Sequence, residues 1–238
     1  MTRPEAPSRV TVLAPMRMEL RPIVRRLNLE RETIGGRDMW TGRRHDTTVV
    51  AAPIGVGPAA ALASTAAVLD AWPSDHVLIA GVAGALDDSL RIGDLVWPEW
   101  AMDAGGARST ASPAMGPRPT SAAGAVTVDG WCDSDELRMH QANGAVIVDM
   151  ETASVAQVCD SRRVPWSACR AVSDRIADGI VDQAIAGLVR DDGRPDLAAV
   201  TRYLAPAPWR VARLVQVARD SGRATAALAA GVADALGW

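Results

Sequence analysis

Short apolar runs and longer amphipathic stretches alternate along the first two thirds of the chain. Residues 10–15, VTVLAP, are apolar and β-branched, and the following MRMELRPIVRRLNL repeats Met16, Leu20, Ile23, Val24 and Leu27 at helical spacing. The pattern predicts a strand leading into a helix. Residues 47–54, TTVVAAPI, predict a second strand, broken by Gly55, Val56 and Gly57; residues 58–71 are Ala-rich, with Pro58 suited to a first helical turn. Residues 76–80, HVLIA, predict a strand running into the small residues 81–85, GVAGA, and residues 94–98, DLVWP, another after the turn at Gly93. Residues 145–148 feed the acids of Asp149-Met150-Glu151, an amphipathic helix follows over 152–162, and residues 166–172 form a last strand stopped at Ser173-Asp174. From 178 onward two or three helices are expected, the clearest over 224–236.

Between 102 and 125 the pattern vanishes: MDAGGARSTASPAMGPRPTSAAGA is rich in Gly, Ser, Pro and Ala with few large side chains. A flexible loop is expected there, and a loop that long inside a compact domain is functional or disordered. Strands alternating with helices over 238 residues argue for one α/β domain spanning 1–238, with a mixed, mainly parallel central sheet flanked by helices. Ligand sites in such sheets gather at the carboxyl ends of strands. Four glycine or acidic clusters fall there: 16–19, 55–57, 81–85, and Asp149-Glu151 together with Ser173-Asp174.

Composition narrows the chemistry. All the basic residues except three histidines are Arg, the net charge is −3, and the charges are interspersed without a basic stripe, which argues against nucleic-acid binding. No segment approaches the ~18 apolar residues of a membrane span, and the polar N-terminus MTRPEAPSR has no apolar signal core. Cys132, Cys159 and Cys169 are odd in number and lack CxxC spacing, so they read as small hydrophobes, and a cytoplasmic protein is expected. No metal or other cofactor is expected. His45, His76 and His140 read as solvated or satisfied in the core.

The segments VLAPMRMEL, IGVGPAAA, GVAGAL followed by RIGDLV, VDMETASVAQVC and VPWSACRAVSD resemble, in order and spacing, the signature blocks of the purine nucleoside phosphorylase-like superfamily, in its methylthioadenosine/S-adenosylhomocysteine nucleosidase branch. That resemblance implies an enzyme that splits the N-glycosidic bond of an adenine nucleoside. By resemblance, Asp174 is the acid at N7 of the purine, with Ser173 beside it. Glu151, with Met150, grips the ribose hydroxyls, and Glu19 orients the attacking water. Val82, Ala83 and Gly84 would line the substrate, and Trp131, in TVDGW, occupies the place of an aromatic that stacks on the base. A small-molecule nucleoside partner and a homodimer are implied in the same way.

These residue types suit the chemistry. N-ribosidic cleavage passes through a cationic, oxocarbenium-like sugar. An acid at the leaving base contributes ~10² to 10⁴ in rate, and an ionised carboxylate stabilises the developing charge. Plain structural roles compete: Asp174 as a helix cap, Glu151 as a first-turn acid favoured by the helix dipole, and Glu19 as a surface ion pair with nearby arginines. Val82 stands where nucleosidases of the family carry Ser, which removes a hydroxyl near the nucleophile. The arginine that holds phosphate in the phosphorylases aligns with Met18, one place from Arg17, so hydrolysis is favoured over phosphorolysis. An inactive purine-binding module is the third reading. The tail, with GRPDL and a later A-R-D-x-x-x-A helix, resembles the hopanoid-associated branch, which implies a bulky apolar 5′ group accommodated by 102–125 and the helix at 209–218.

Overall fold

A computed structural model describes residues 7–113, 115, 123–130, 132–175 and 211–238. Among the described residues, eleven strands form one mixed sheet. At its centre β4 (Thr47–Pro53), β1 (Arg9–Ala14), β5 (His76–Ala85) and β11 (Trp166–Arg175) run parallel. The flanks turn antiparallel: β2 (Glu30–Ile34) and β3 (Arg37–Arg44) make a hairpin on β4, and β6 (Leu95–Val96) pairs with β11. Beyond β5 lie β10 (Ala145–Asp149), β9 (Gly124–Thr127), β7 (Trp100–Met102) and β8 (Arg108–Thr110). Parallel pairing recurs beyond the centre, where β9 lies parallel to both β10 and β7, so the sheet is mixed.

Alternation along the central strands divides the core into two layers, because successive side chains point to opposite faces. Val10, Val12, Leu78, Ala80, Cys169 and Ala171 pack under α1 (Arg17–Arg26) and α5 (Val211–Ala235). Leu13, Val50, Val77, Ile79, Trp166 and Ala168 pack under α2 (Pro58–Ala71) and α4 (Thr152–Arg162). Helix α3 (Ser134–Ala142) is capped by Asp133, whose carboxylate accepts from the N–H groups of Asp135 and Glu136.

Strand β5 is the organising element. One edge pairs with β11 from Val77 to Ala85. The other edge changes partner: residues 76–79 pair in parallel with β1, and Gly84 and Ala85 pair antiparallel with β10. Between them, residues 80–83 have no strand partner on that edge among the described residues, so a ladder donor there must be satisfied otherwise.

Three expectations change. Segment 102–125 is not one loop: β8 lies within it, and Met115 is buried. The hairpin of β2 and β3 was not expected at all. Strand β11 does not stop at Ser173 but runs on to Arg175, so Asp174 is a strand residue and not a helix cap. The GRPDL segment and most of the tail before α5 lie outside the described residues.

Candidate active site

Glu19 lies in the first turn of α1 and is 1 % exposed. Its Oε2 accepts from the N–H of Met16, at the helix start, at 2.8 Å. Its Oε1 accepts from the N–H of Val82 at 2.9 Å. Val82 sits where β5 is between partners, so the Glu19 carboxylate supplies the acceptor that a neighbouring strand would have given. A surface ion pair is ruled out for this residue. Burial raises the Glu19 pKa; the Val82 N–H and the charge of Arg170 oppose the rise.

Glu151 is the N-cap residue of α4 and is 4 % exposed. Its side chain reaches across to the turn after β4, where Oε1 accepts from the N–H of Gly57 at 2.9 Å. Gly57 has φ of 90°, which favours glycine, and its position as N-cap ahead of Pro58 frees that N–H. Burial pushes the Glu151 carboxyl up to about 7, against the pull of Arg170.

Arg170 joins these acids, and the sequence reading missed it. It is fully buried on β11. Its Nε lies 3.0 Å from Asp149 Oδ2, and Nη2 lies 3.6 Å from Glu151 Oε2. Nε and Nη2 donate to Thr152 Oγ1 at 3.0 and 2.8 Å, and Nη1 to the carbonyl of Val82 at 3.3 Å. The guanidinium crosses β5 over Gly81, where an added Cβ would stand 2.2 Å from Nη1 and 3.1 Å from Glu19 Oε1. Only glycine leaves room for both groups. Glu19, Glu151, Asp149 and Arg170 thus form one buried cluster with three acids and one base.

Asp174 is placed by an irregularity. The register of β11 against β5 slips between Val172 and Asp174, leaving Ser173 as the extra residue of a bulge. Bulges re-aim side chains, and here the Asp174 carboxylate lies over Gly84, with Oδ2 3.2 Å from where a Cβ would be. Ser173 Oγ donates to Asp174 Oδ1 at 2.6 Å and approaches the Ala83 carbonyl at 3.4 Å. Burial raises the Asp174 pKa and the serine hydroxyl lowers it.

Of the remaining sequence candidates, Val82 contributes both backbone groups, Ala83 is buried, and Met150 packs beside Val126 and Val148. Trp131 lies outside the described residues. Arg17 lies over the Trp40 ring of the β2–β3 hairpin at 5.9 Å, and Met18 is 41 % exposed. His76 is paired with Ser167 at 2.9 Å, and burial lowers its pKa to about 4. His140 departs from expectation: it is buried with no hydrogen-bond partner on either ring nitrogen. No helix among the described residues is long and apolar enough to cross a membrane.

The model of the phosphorylase superfamily matches residues 9–128 and 125–205. A 5′-methylthioadenosine/S-adenosylhomocysteine nucleosidase of Glaesserella parasuis is 28% identical over 174 residues, spanning 61% of this chain and 75% of that protein. Among solved structures, the 5′-methylthioadenosine nucleosidase of Arabidopsis thaliana superposes with a TM-score of 0.72 at 19% identity, covering 98% of this chain and 96% of that one. The futalosine hydrolase of Helicobacter pylori gives 0.69 at 18%, over 96% and 97%. The nucleosidase of Neisseria meningitidis bound to methylthio-immucillin-A gives 0.69 at 21%, over 96% and 98%. At these identities the structural likeness speaks for the fold.

Proposed function

Since this chain belongs to the phosphorylase superfamily, we propose that it is a hydrolase that cleaves the N-glycosidic bond of an adenine nucleoside and releases adenine. The observation that carries the reading is the gathering of Glu19, Glu151 and Asp174 at the carboxyl ends of the central strands, two of them around a buried arginine and the third aimed by a bulge. The names of the relatives, nucleosidases and a futalosine hydrolase, point the same way.

Each acid has a task in this reading. Asp174, with its raised pKa, donates a proton toward N7 so that the base leaves neutral. Glu151 accepts from the ribose hydroxyls and fixes the sugar. Glu19 orients the attacking water, and its charge with that of Glu151 favours the cationic sugar of the transition state. After attack, the proton of the water passes to Glu19, and the C–N electron pair leaves with the base.

The charge balance favours water over phosphate. Three buried acids surround Arg170, and its hydrogen bonds are largely committed to Asp149, Thr152 and Val82. A phosphate dianion would enter a site that is already acidic, whereas neutral water would not be repelled. Arg17, the nearest basic residue to the aligned phosphate-binding position, is held at Trp40. Met18, next to Glu19 in the chain, and Val56, next to Gly57, are exposed apolar residues and fit a 5′ group such as a thioether or a larger hydrocarbon of the adenosylhopane type. We further propose that the chain forms a single domain and acts as a homodimer.

The test is adenine release from methylthioadenosine, adenosylhomocysteine and an adenosine bearing a large 5′ hydrocarbon, with and without phosphate. The free 5-substituted ribose as sugar product, phosphate independence and loss of turnover in Asp174→Asn are expected. The 1-phosphate of that 5-substituted ribose as the product would assign a phosphorylase instead, and adenine binding without release an inactive module.

A further inference from the structure

Asp149 has no role in the steps above, yet no other carboxylate in the site is so fully engaged. Its Oδ1 accepts from Thr127 Oγ1 at 2.8 Å and from the N–H groups of Glu151 and Thr152 at 3.0 Å each. Its Oδ2 takes the Thr152 hydroxyl and lies 3.0 Å from Arg170 Nε. The residue is 6 % exposed, and these five donors leave it nothing to offer a substrate.

The two oxygens do different work. Capping α4 needs only Oδ1, which holds the N–H groups of the first turn and with them the backbone of Glu151. Oδ2 is committed to the Nε edge of Arg170 and to the Thr152 hydroxyl, which itself accepts from Nε and Nη2. The guanidinium is thus gripped tightly on one edge. Its other contacts, to the Val82 carbonyl at 3.3 Å and Glu151 Oε2 at 3.6 Å, are long. They face the space beside Glu19 and Glu151.

We infer that Asp149, acting with Thr152, is a positioning residue for the hydrolysis: it fixes Arg170 by its Nε edge so that Nη2 is held toward Glu151 and Nη1 at the carbonyl of Val82, the residue whose N–H donates to Glu19. The inference rests on the hydrolase reading above. It also explains why an acid stands two residues before Glu151, where a neutral capping residue would serve α4 alone.

Asp149→Asn separates the two jobs, since the amide oxygen can keep the cap while the amide nitrogen meets Arg170 Nε donor to donor. With adenine release as the assay, kcat is expected to fall about 10- to 100-fold, the cost of a misplacement of about 1 Å, with KM changed less than threefold. Thr152→Val is expected to fall similarly and Thr152→Ser to recover most of that loss, which keeps the test open if Asp149→Asn does not fold. The acidic limb of the pH–rate profile should move to lower pH in Asp149→Asn. Glu151 and Glu19 would then face Arg170 and the N–H groups of Gly57, Val82 and Met16 without the negative charge of Asp149. A residue with only a folding role would reduce the yield of folded protein and leave kcat per folded site and the pH profile in place. Wild-type kcat in folded Asp149→Asn, or equal rates for Thr152→Ser and Thr152→Val, overturns the inference. A wild-type protein that releases no adenine overturns the hydrolase reading instead. The grip itself is then tested by NMR: the Arg170 Nε–H should exchange slowly in wild type and quickly in Asp149→Asn, and equal protection overturns it.

Discussion

Gly81→Ala adds one carbon at the point where Arg170 crosses β5. The new Cβ would lie 2.2 Å from Nη1, 3.1 Å from Glu19 Oε1 and 3.1 Å from Pro15 Cδ. Ordinary contact begins near 3.4 Å, so the guanidinium must retreat by about 1 Å. It has nowhere solvated to go, because Arg170 is fully buried. The retreat breaks the bond to the Val82 carbonyl and leaves that acceptor unpaired, at a cost of about 1–3 kcal/mol; overpacking adds about 1–3 kcal/mol. A net loss of about 3 kcal/mol is expected, which for a chain of this size lowers Tm by about 6–12 °C. Turnover should fall about 10²-fold with the displaced guanidinium. Gly222→Ala is the matched control: it lies within α5, where an added Cβ meets nothing within 4 Å, and should be neutral or stabilising by up to about 1 kcal/mol. Differential scanning calorimetry and adenine-release kinetics on both variants provide the comparison. A Gly81→Ala protein that melts and turns over like wild type would refute the crossing of Arg170 over this glycine, and with it the account of the acid cluster.

Other outcomes follow from the same geometry. Arg170→Lys should behave almost as badly as removal of the charge, since a single ammonium cannot bridge Asp149, Thr152 and Val82 together; kcat/KM at least 10²-fold below wild type is expected. Glu151 has a folded pKa raised to about 7 from an ordinary 4.5. The native state therefore binds more protons than the unfolded chain in that window, and this residue's contribution to stability is full below about 4.5 and lost as pH rises through 7. In the proposed reaction activity runs the other way, because the ionised form is the one that would grip the diol. Urea unfolding of wild type and Glu151→Gln at pH 5 and 8 should show wild type losing about 3 kcal/mol relative to the variant at the higher pH; parallel curves would contradict it. Glu19→Gln keeps an acceptor for the Val82 N–H and should fold, while kcat drops more than KM rises, as steady-state kinetics can resolve.

Much of the fold could be read from the apolar runs. Strands β1 and β4 and helices α1, α2 and α4 emerge within a residue or two of their predicted bounds, the strands because they are buried on both faces; β5 starts where predicted but continues through the small residues to Ala85. The β2–β3 hairpin escaped for the opposite reason. Glu30, Arg31, Glu32 and Thr33 are all exposed, and such charged edges guard against pairing with another chain while hiding the strand from a hydrophobic pattern. The bulge at Ser173 has no signature in sequence; only the register against β5 reveals it. Arg170 did leave a signal: a lone charge inside WSACRAV, in a strand otherwise built for burial, must find partners indoors. Glu19 likewise interrupts the apolar stripe of α1 between Met16 and Ile23.

The partner change along β5 ties the chemistry of Glu19 to the integrity of the chain. The residue closes an open rung of the sheet, quite apart from the role proposed for it with water, so the architecture retains it whether or not the protein turns over substrate. A descendant selected only to hold purines could shed the carboxylate at 174 with little harm to its framework, yet would still need an acceptor at 19. Along such lineages the carboxylate at 19 records ancestry and the one at 174 records use.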